Sequence, residues 1–167
     1  MIQAGWRPME AGDIGSVARI SDAVHGRYTE RAEVYAERLS LYPAGCFLFE
    51  KDGAAAGYMV SHPWVRAAPP TLDAMLGAFP ANADCFYLHD LALLATARGT
   101  GAGKAATQRI IAQARAAAFA EIRLVAINGA EGFWASQGFV PVAGKDDTEM
   151  PGSYGDEALF MQRWITD

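Results

Sequence analysis

Apolar residues in this chain fall into short runs separated by longer stretches in which they recur every three or four positions. Residues 2–7 are partly apolar, carry Trp6 and stop at Pro8, which predicts a first strand. A helix is predicted from Asp13, a plausible N-cap, to Val24, with Ile14, Val17, Ala18 and Val24 at helical spacing. Ser21 interrupts that stripe. Residues 25–28 (HGRY) break the helix, and Thr29 can cap a second one that Pro43 ends. Residues 46–50 and 54–61 read as two strands, joined by the tight-turn signal Lys51-Asp52-Gly53. Residues 65–84 hold Pro69, Pro70 and Pro80 around a weak helical patch at 71–79, the mark of a covering segment.

The strongest strand is residues 86–94. It is apolar except for His89 and Asp90, as expected of a strand covered on both faces. A helix over residues 102–119 would place Ala106, Ile110, Ile111, Ala114 and Ala118 on one face. Residues 121–127 read as another buried strand, and Asn128 can cap a short helix that Gly138 ends. Residues 139–142 and 158–165 finish as strands. The order β-α-α-β-β-β-α-β-α-β-β predicts one α/β domain spanning residues 1–167, with about seven strands and four helices.

Composition narrows the function classes. With 14 basic and 19 acidic residues, the net charge of −5 gives no footprint for nucleic acid or an anionic membrane. No apolar stretch approaches the roughly 20 residues of a membrane span. The opening residues carry neither a basic nor an apolar leader, so a cytoplasmic protein is expected. Cys46 and Cys85 sit in apolar surroundings without metal-binding spacing, which predicts buried, inert thiols.

The candidate chemistry lies in residues 87–103. There a strand runs into Arg98-Gly99-Thr100-Gly101-Ala102-Gly103 and then into a helix, the arrangement by which backbone amides and a helix N-terminus hold phosphate. A P-loop fails, because position 98 is Arg98 and Lys104 is followed by Ala105. A dinucleotide fingerprint matches only formally. Its acidic partner about 20 residues on is absent, since the next strand ends in Ile127-Asn128.

A third pattern covers more of the chain. Leu91-Ala92-Leu93 followed by Arg98-Gly99-Thr100-Gly101-Ala102-Gly103 resembles motif A of the GNAT superfamily of N-acetyltransferases. Asn128 and the later segment Phe133-Trp134-Ala135-Ser136-Gln137-Gly138-Phe139 resemble that family's second motif at its spacing. The resemblance implies a mixed sheet splayed at the cofactor site, and acetyl-CoA as cofactor. The amides of Gly99, Thr100, Gly101, Ala102, Gly103 and Lys104 would bind the pyrophosphate, with Arg98 and Lys104 as charge partners. Leu91, Ala92, Asn128 and Trp134 would flank the pantetheine arm, and the Leu93 amide would face the thioester carbonyl.

Acetyl transfer to an amine needs a base of pKa near 7. Simple alternation puts Tyr87, His89, Leu91 and Leu93 on one face of the strand, and Leu88, Asp90 and Ala92 on the other. Leu88 to Leu93 also resembles the corresponding strand of arylalkylamine N-acetyltransferases, which places His89 at a base or water-relay position and Tyr87 at that of a second histidine. Asp90 would take the base position if the strand were bulged. Trp134 stands where the family usually has an acidic Tyr, and an indole cannot supply that proton. Tyr154 is a replacement candidate. His25, Tyr28, His62 and Trp64 match positions that line the acceptor side, where aromatic faces suit an ammonium. The expected activity is transfer of acetyl from acetyl-CoA to a primary amine of a small molecule or peptide, by direct attack. The alternatives are a non-catalytic acetyl-CoA-binding regulatory module and, on the formal glycine match, a dinucleotide-dependent oxidoreductase. The oligomeric state is left open, a homodimer included.

Overall fold

Each apolar run becomes a strand and each three-to-four repeat a helix, apart from the patch at 71–79. The computed structural model describes residues 3–142 and 158–165. The strands are β1 (Ala4–Pro8), β2 (Cys46–Lys51), β3 (Ala54–Trp64), β4 (Cys85–Leu93), β5 (Glu121–Ala126), β6 (Val140–Pro141) and β7 (Leu159–Trp164). The α-helices are α1 (Ile14–His25), α2 (Ala32–Leu41), α3 (Ala102–Ala116) and α4 (Glu131–Ser136). The strands form one mixed sheet in the order β1-β2-β3-β4-β5-β7-β6. Only β4 and β5 run parallel, as expected of two strands joined through a helix. No described helix is long and apolar enough to cross a membrane.

Two apolar layers cover the sheet. On one face Val17 and Ile20 of α1 and Tyr35 of α2 pack on Leu48, Tyr58, Val60 and Ala92. On the other, Ala106, Ile110 and Ala114 of α3 and Trp134 of α4 pack on Phe86, Leu88, Ile122 and Leu124. Cys46 and Cys85 are buried, and burial pushes both thiols up to about 12, so neither is a nucleophile near neutral pH.

Local signals were read correctly where the backbone alone decides. Asp52 and Gly53 both take positive φ (54° and 80°), which the tight β2–β3 turn requires. The proposed caps fare differently. Asp13 is the N-cap residue of α1 as expected, but its side chain makes no capping bond to the helix; its carboxylate accepts the Glu10 amide at 2.8 Å. The N-cap of α2 is Arg31 and that of α4 is Ala130, which frees Thr29 and Asn128 for other partners. Helix α3 ends at Ala116, and Ala118 turns out of it with φ 64°.

Residues 65–84 form turns with neither helix nor strand. Their amides are satisfied from outside. Glu37 of α2 accepts Leu76 N at 2.6 Å and Gly77 N at 2.9 Å, and Glu30 accepts Asp73 N at 2.7 Å. Side chains of another element thus replace the ladder that a helix would have formed.

Strand β4 carries the feature that sets the site. Against β3, Val60 pairs with Asp90 while the next residue, Ser61, pairs with Leu88, leaving His89 as an extra residue. This bulge shifts the alternation. Leu88 packs in the α3 layer, whereas Asp90 and Ala92 turn to the α1–α2 side. His89 faces that side too, where its ring lies 5.9 Å from that of His62. The expectation that Leu88, Asp90 and Ala92 share a face is therefore wrong, and the bulge is the reason.

Candidate active site

Strands β4 and β5 pair only from Phe86–Ile122 to Leu88–Leu124, although both continue further. Beyond Leu88 they diverge, and a cavity of about 440 Å³ opens between them. Leu91 and Leu93 lie on one lip, Val125, Ile127 and Asn128 on the other. Leu94 N donates to Ala56 O of β3 at 2.8 Å. Because amide directions alternate along a strand, the amides of Leu91 and Leu93 point away from β3, into the gap. Gly57 lets Leu93 lie there. A Cβ on Gly57 would stand 2.6 Å from Leu93 Cδ2 and 2.8 Å from Ala92 O.

The glycine turn closes one end of the gap. Gly99 and Gly101 take φ of 78° and 81°, a region that costs other residues about 1–2 kcal/mol. Thr100 Oγ1 donates to Ala97 O and accepts Ala102 N at 3.3 Å. The first intrahelical bond of α3 is Ala105 N to Gly101 O, so Gly103 and Lys104 N–H groups open outward from the helix start. No acidic residue sits in the first turn of α3, and Arg98 and Lys104 are exposed beside it. Trp6 Nε1 donates to Ala102 O at 3.0 Å, which ties this turn to β1. Gly103 packs under Phe133, whose Cζ would lie 2.8 Å from an added Cβ. The backbone thus has the shape and the donors for a pyrophosphate.

At the other end two histidines each meet a carboxylate. His25, the last residue of α1, places Nε2 2.5 Å from Asp90 Oδ1. Asp90 Oδ2 accepts Tyr58 OH at 2.6 Å and Tyr35 OH at 2.9 Å. Burial opposes charge on His25, but the Asp90 carboxylate outweighs it and raises the imidazole above its usual value. Burial likewise pushes Asp90 up, and the facing His25, with His89 and the Tyr58 hydroxyl, brings it below the usual carboxylate value. Burial and the Asp90 charge raise both tyrosines, so their hydroxyls remain donors at any working pH. The His25 imidazole lines the cavity, and Nδ1 has no partner among the described residues.

The second pair is His89 and Glu30, with Nε2 2.6 Å from Oε1. The His89 side chain is 0% exposed and Nδ1 has no hydrogen-bond partner. His89 is one of the residues around the cavity, but its imidazole is enclosed and held by Glu30, so it is not the free base that its position suggested. Tyr87 is buried as well, beside the rings of His62 and His89.

Of the acceptor-side candidates, His25 and Tyr28 line the cavity. His62 is 0% exposed and donates from Nδ1 to Pro63 O at 2.8 Å, with its ring stacked on Phe79. Trp64 donates to Ala68 O at 3.0 Å. Neither reaches the cavity, because β3 runs behind β4 there. Ala92 is buried against the α1–α2 layer and faces the gap with no side-chain atom. Trp134 lines the cavity, edge-on to Phe133 and Phe139. Asn128, at φ 52°, extends Nδ2 to His25 O at 3.4 Å across the gap. Tyr154 lies outside the described residues. Glu30, Tyr35 and Tyr58 were not singled out from the sequence. Nothing local marks them, since each meets Asp90 or His89 only through tertiary packing.

Comparison with known proteins agrees with this geometry. The model of the acetyltransferase (GNAT) family matches residues 17–139. No curated protein matches the sequence. Among solved structures, Ard1 from Thermoplasma volcanium is similar at 18% identity and TM-score 0.72, covering 98% of this chain and 99% of that one. The loading GNATL domain of CurA from Lyngbya majuscula is similar at 11% identity and TM-score 0.78, covering 98% of each chain. N-acetylglutamate synthase from Neisseria gonorrhoeae, complexed with coenzyme A and N-acetyl-glutamate, is similar at 19% identity and TM-score 0.69, covering 99% of this chain and 36% of that one. At these identities the likeness is one of fold, while the family match spans most of the sequence. The chain belongs to the GNAT family of acetyltransferases.

Proposed function

We propose that this protein is an N-acetyltransferase moving acetyl from acetyl-CoA to a primary amine, with His25 as the base. The observation that carries the reading is the meeting in one cavity of two things. One is a strand gap with inward amides that leads from a phosphate cradle; the other is a buried His25–Asp90 pair at its far end.

Acetyl-CoA supplies an acyl group already activated as a thioester. The amides of residues 99–104, with Arg98 and Lys104, would hold its pyrophosphate, and Trp134 and Asn128 would flank its arm. The Leu93 amide would donate to the oxygen that gains charge during attack, a fixed donor that needs no reorganisation. His25 Nδ1 would take the proton that the ammonium must lose before it attacks. Asp90 keeps Nε2 protonated and so presents the bare Nδ1 to the cavity. The base is thus moved from His89, which would act only through Glu30 and the wall. Tyr87 is assigned a packing role beside it. Tyr28 and Leu72 give the acceptor side an apolar surface, and Glu30 and Asp90 give it negative character.

The non-catalytic alternative does not account for a short ion pair set on the cavity wall, where burial opposes the charge on both partners. The test is binding followed by turnover. Acetyl-CoA at 100 times its Kd should stabilise the fold by about 2.7 kcal/mol, a rise of several degrees in Tm. An amine panel read by thiol release should then give turnover. Absence of a thermal shift with acetyl-CoA would sink the reading. A shift without thiol release from any amine would favour the non-catalytic module.

A further inference from the structure

Two adjacent antiparallel strands can be joined in about two to five residues. Strands β3 and β4 are such neighbours, yet residues 65–84 lie between them. A connection of that length with no helix or strand of its own is a mark of function. From the geometry we infer that this strap is a wall of the acceptor slot, and that Leu72 sets how large an amine fits. The inference rests on the acetyltransferase reading above and names a specificity-determining residue for it.

Of the strap, Leu72 lines the cavity, in company with His25, Tyr28 and Glu30. The residue after it is clasped on every side. Asp73 N donates to Glu30 Oε2 at 2.7 Å, while Glu30 Oε1 lies 2.6 Å from His89 Nε2. One buried carboxylate thus ties the strap to the cavity wall. Arg31 supplies the other bonds. Its backbone N donates to Asp73 Oδ1 at 2.8 Å, its Nε to Oδ2 at 3.1 Å and its Nη2 to Asp73 O at 3.0 Å. Asp73 takes φ 61°, a left-handed conformation that Asp tolerates better than most residues.

The strap is pinned beyond this point as well. Arg38 Nη2 donates to Ala74 O at 3.2 Å, and Glu37 accepts the Leu76 and Gly77 amides. The Phe79 ring stacks on His62 with centroids 5.1 Å apart. At its root, Trp64 Nε1 donates to Ala68 O at 3.0 Å and Asp84 accepts Arg66 N at 2.6 Å. Leu72 therefore stands between fixed points, as a built part of the slot. Arg31 and Asp73 are exposed enough, at 57% and 40% of their side chains, that their ion pair adds little to stability. What the pair fixes is position.

The test uses protein loaded with coenzyme A, which has no acyl group to transfer. Calorimetric titration with unbranched primary alkylamines, from propyl to octyl, then gives Kd against stem length without turnover. Each methylene that finds apolar surface should tighten Kd by about three- to fourfold, and the gain should stop where the stem meets Leu72. Leu72→Ala takes about three carbons from the wall, so the gain should run on for about two to three methylenes more. Leu72→Phe should stop it earlier. Met75→Ala, on the exposed side of the strap, should leave the stop in place. Asp73→Gly keeps the backbone angle but deletes the clasping carboxylate, and should blur the stop with little change in Tm. Asp73→Asn, which keeps the Oδ1 acceptor, should restore it. The same dependence on stem length in the wild type, Leu72→Ala and Leu72→Phe overturns the assignment. So does a stop that moves as far in Met75→Ala, or a loaded wild type that binds no alkylamine. A stop as sharp in Asp73→Gly as in the wild type overturns the part given to the clasp. If the stop moves with Leu72 but acetyl-CoA releases no thiol with any bound amine, the wall stands and the acetyltransferase reading fails.

Discussion

His25 and Asp90 face each other at 2.5 Å on the cavity wall, and each changes how the other titrates. The consequence for activity has a definite sign. Because the His25 pKa is raised, its neutral, proton-accepting form is scarcer at a given pH than in a free imidazole and grows as pH rises. The profile of kcat/KM should climb through a limb above the ordinary histidine value of about 6.5. In Asp90→Asn the carboxylate is gone and burial is opposed only by the Glu30 charge, so the limb should move to lower pH while kcat falls. His25→Ala should cost on the order of 10²- to 10⁴-fold in kcat with cofactor affinity retained. The same limb in the wild type and in Asp90→Asn would remove the pair from the mechanism. At this level the residue types were informative and their partners were not. Two polar residues in an apolar strand stood out as needing a reason, but which of them works depends on Glu30, 59 positions from His89, and on His25, 65 positions from Asp90.

Elements position those side chains, and one extra residue in β4 does most of it. The bulge at His89 brings His89 and Asp90 to the same side, while Leu91 and Leu93 keep their amides in the gap. Periodicity cannot show a bulge, because it is a mismatch between two strands and not a property of one. The glycine cradle is the opposite case. Gly99 and Gly101 occupy positive φ, a demand of the turn itself, and the pattern was legible without a partner. Gly101→Ala should therefore weaken coenzyme A binding about tenfold, as about 1–2 kcal/mol of strain is relieved by distorting the turn. Isothermal titration with coenzyme A checks this, and unchanged affinity would show that the turn keeps its shape without glycine. Helix caps fell between these cases. Asp13 holds the N-cap position of α1 with its carboxylate turned to the Glu10 amide, whereas Thr29 and Asn128 bond to Asp22 and His25 and cap no helix.

For the whole molecule, burial of His62 sets an acid limit on stability. Its ring is enclosed, and burial with the nearby His89 lowers its pKa to about 3. The unfolded chain takes up a proton near pH 6.5 that the folded chain refuses until about pH 3. The unfolded state binds more protons in that window, so stability falls as pH drops through it, by about 1.4 kcal/mol per unit. Above pH 4 Asp90 adds nothing to this slope, because its pKa is below the unfolded value of about 3.9. Below pH 6.5 His25 adds nothing either, because its raised pKa keeps it protonated in both states. Urea midpoints between about pH 4.5 and 6.5 should thus fall with acid in the wild type, and the slope should flatten in His62→Phe, which keeps the stack on Phe79. An equal slope in both proteins would place the acid sensitivity elsewhere.

Local chemistry in the chain was enough to set the order of strands and helices, the tight turn at Asp52-Gly53 and the phosphate cradle at Arg98–Gly103. Each of these depends on residues that are neighbours along the backbone or repeat at a fixed period. Tertiary structure alone decided where β4 leaves β5, which face Asp90 takes, and that Glu30 encloses the His89 ring while His25 pairs with Asp90 on the cavity wall. Those outcomes arise from pairing between distant strands and from buried charges finding partners, and a buried charge takes the partner that folding brings to it. The serine that looked like a flaw in the first helix is the clearest instance. Its meaning lies in Tyr35 and Thr29, which reach it only when the second helix packs against the first.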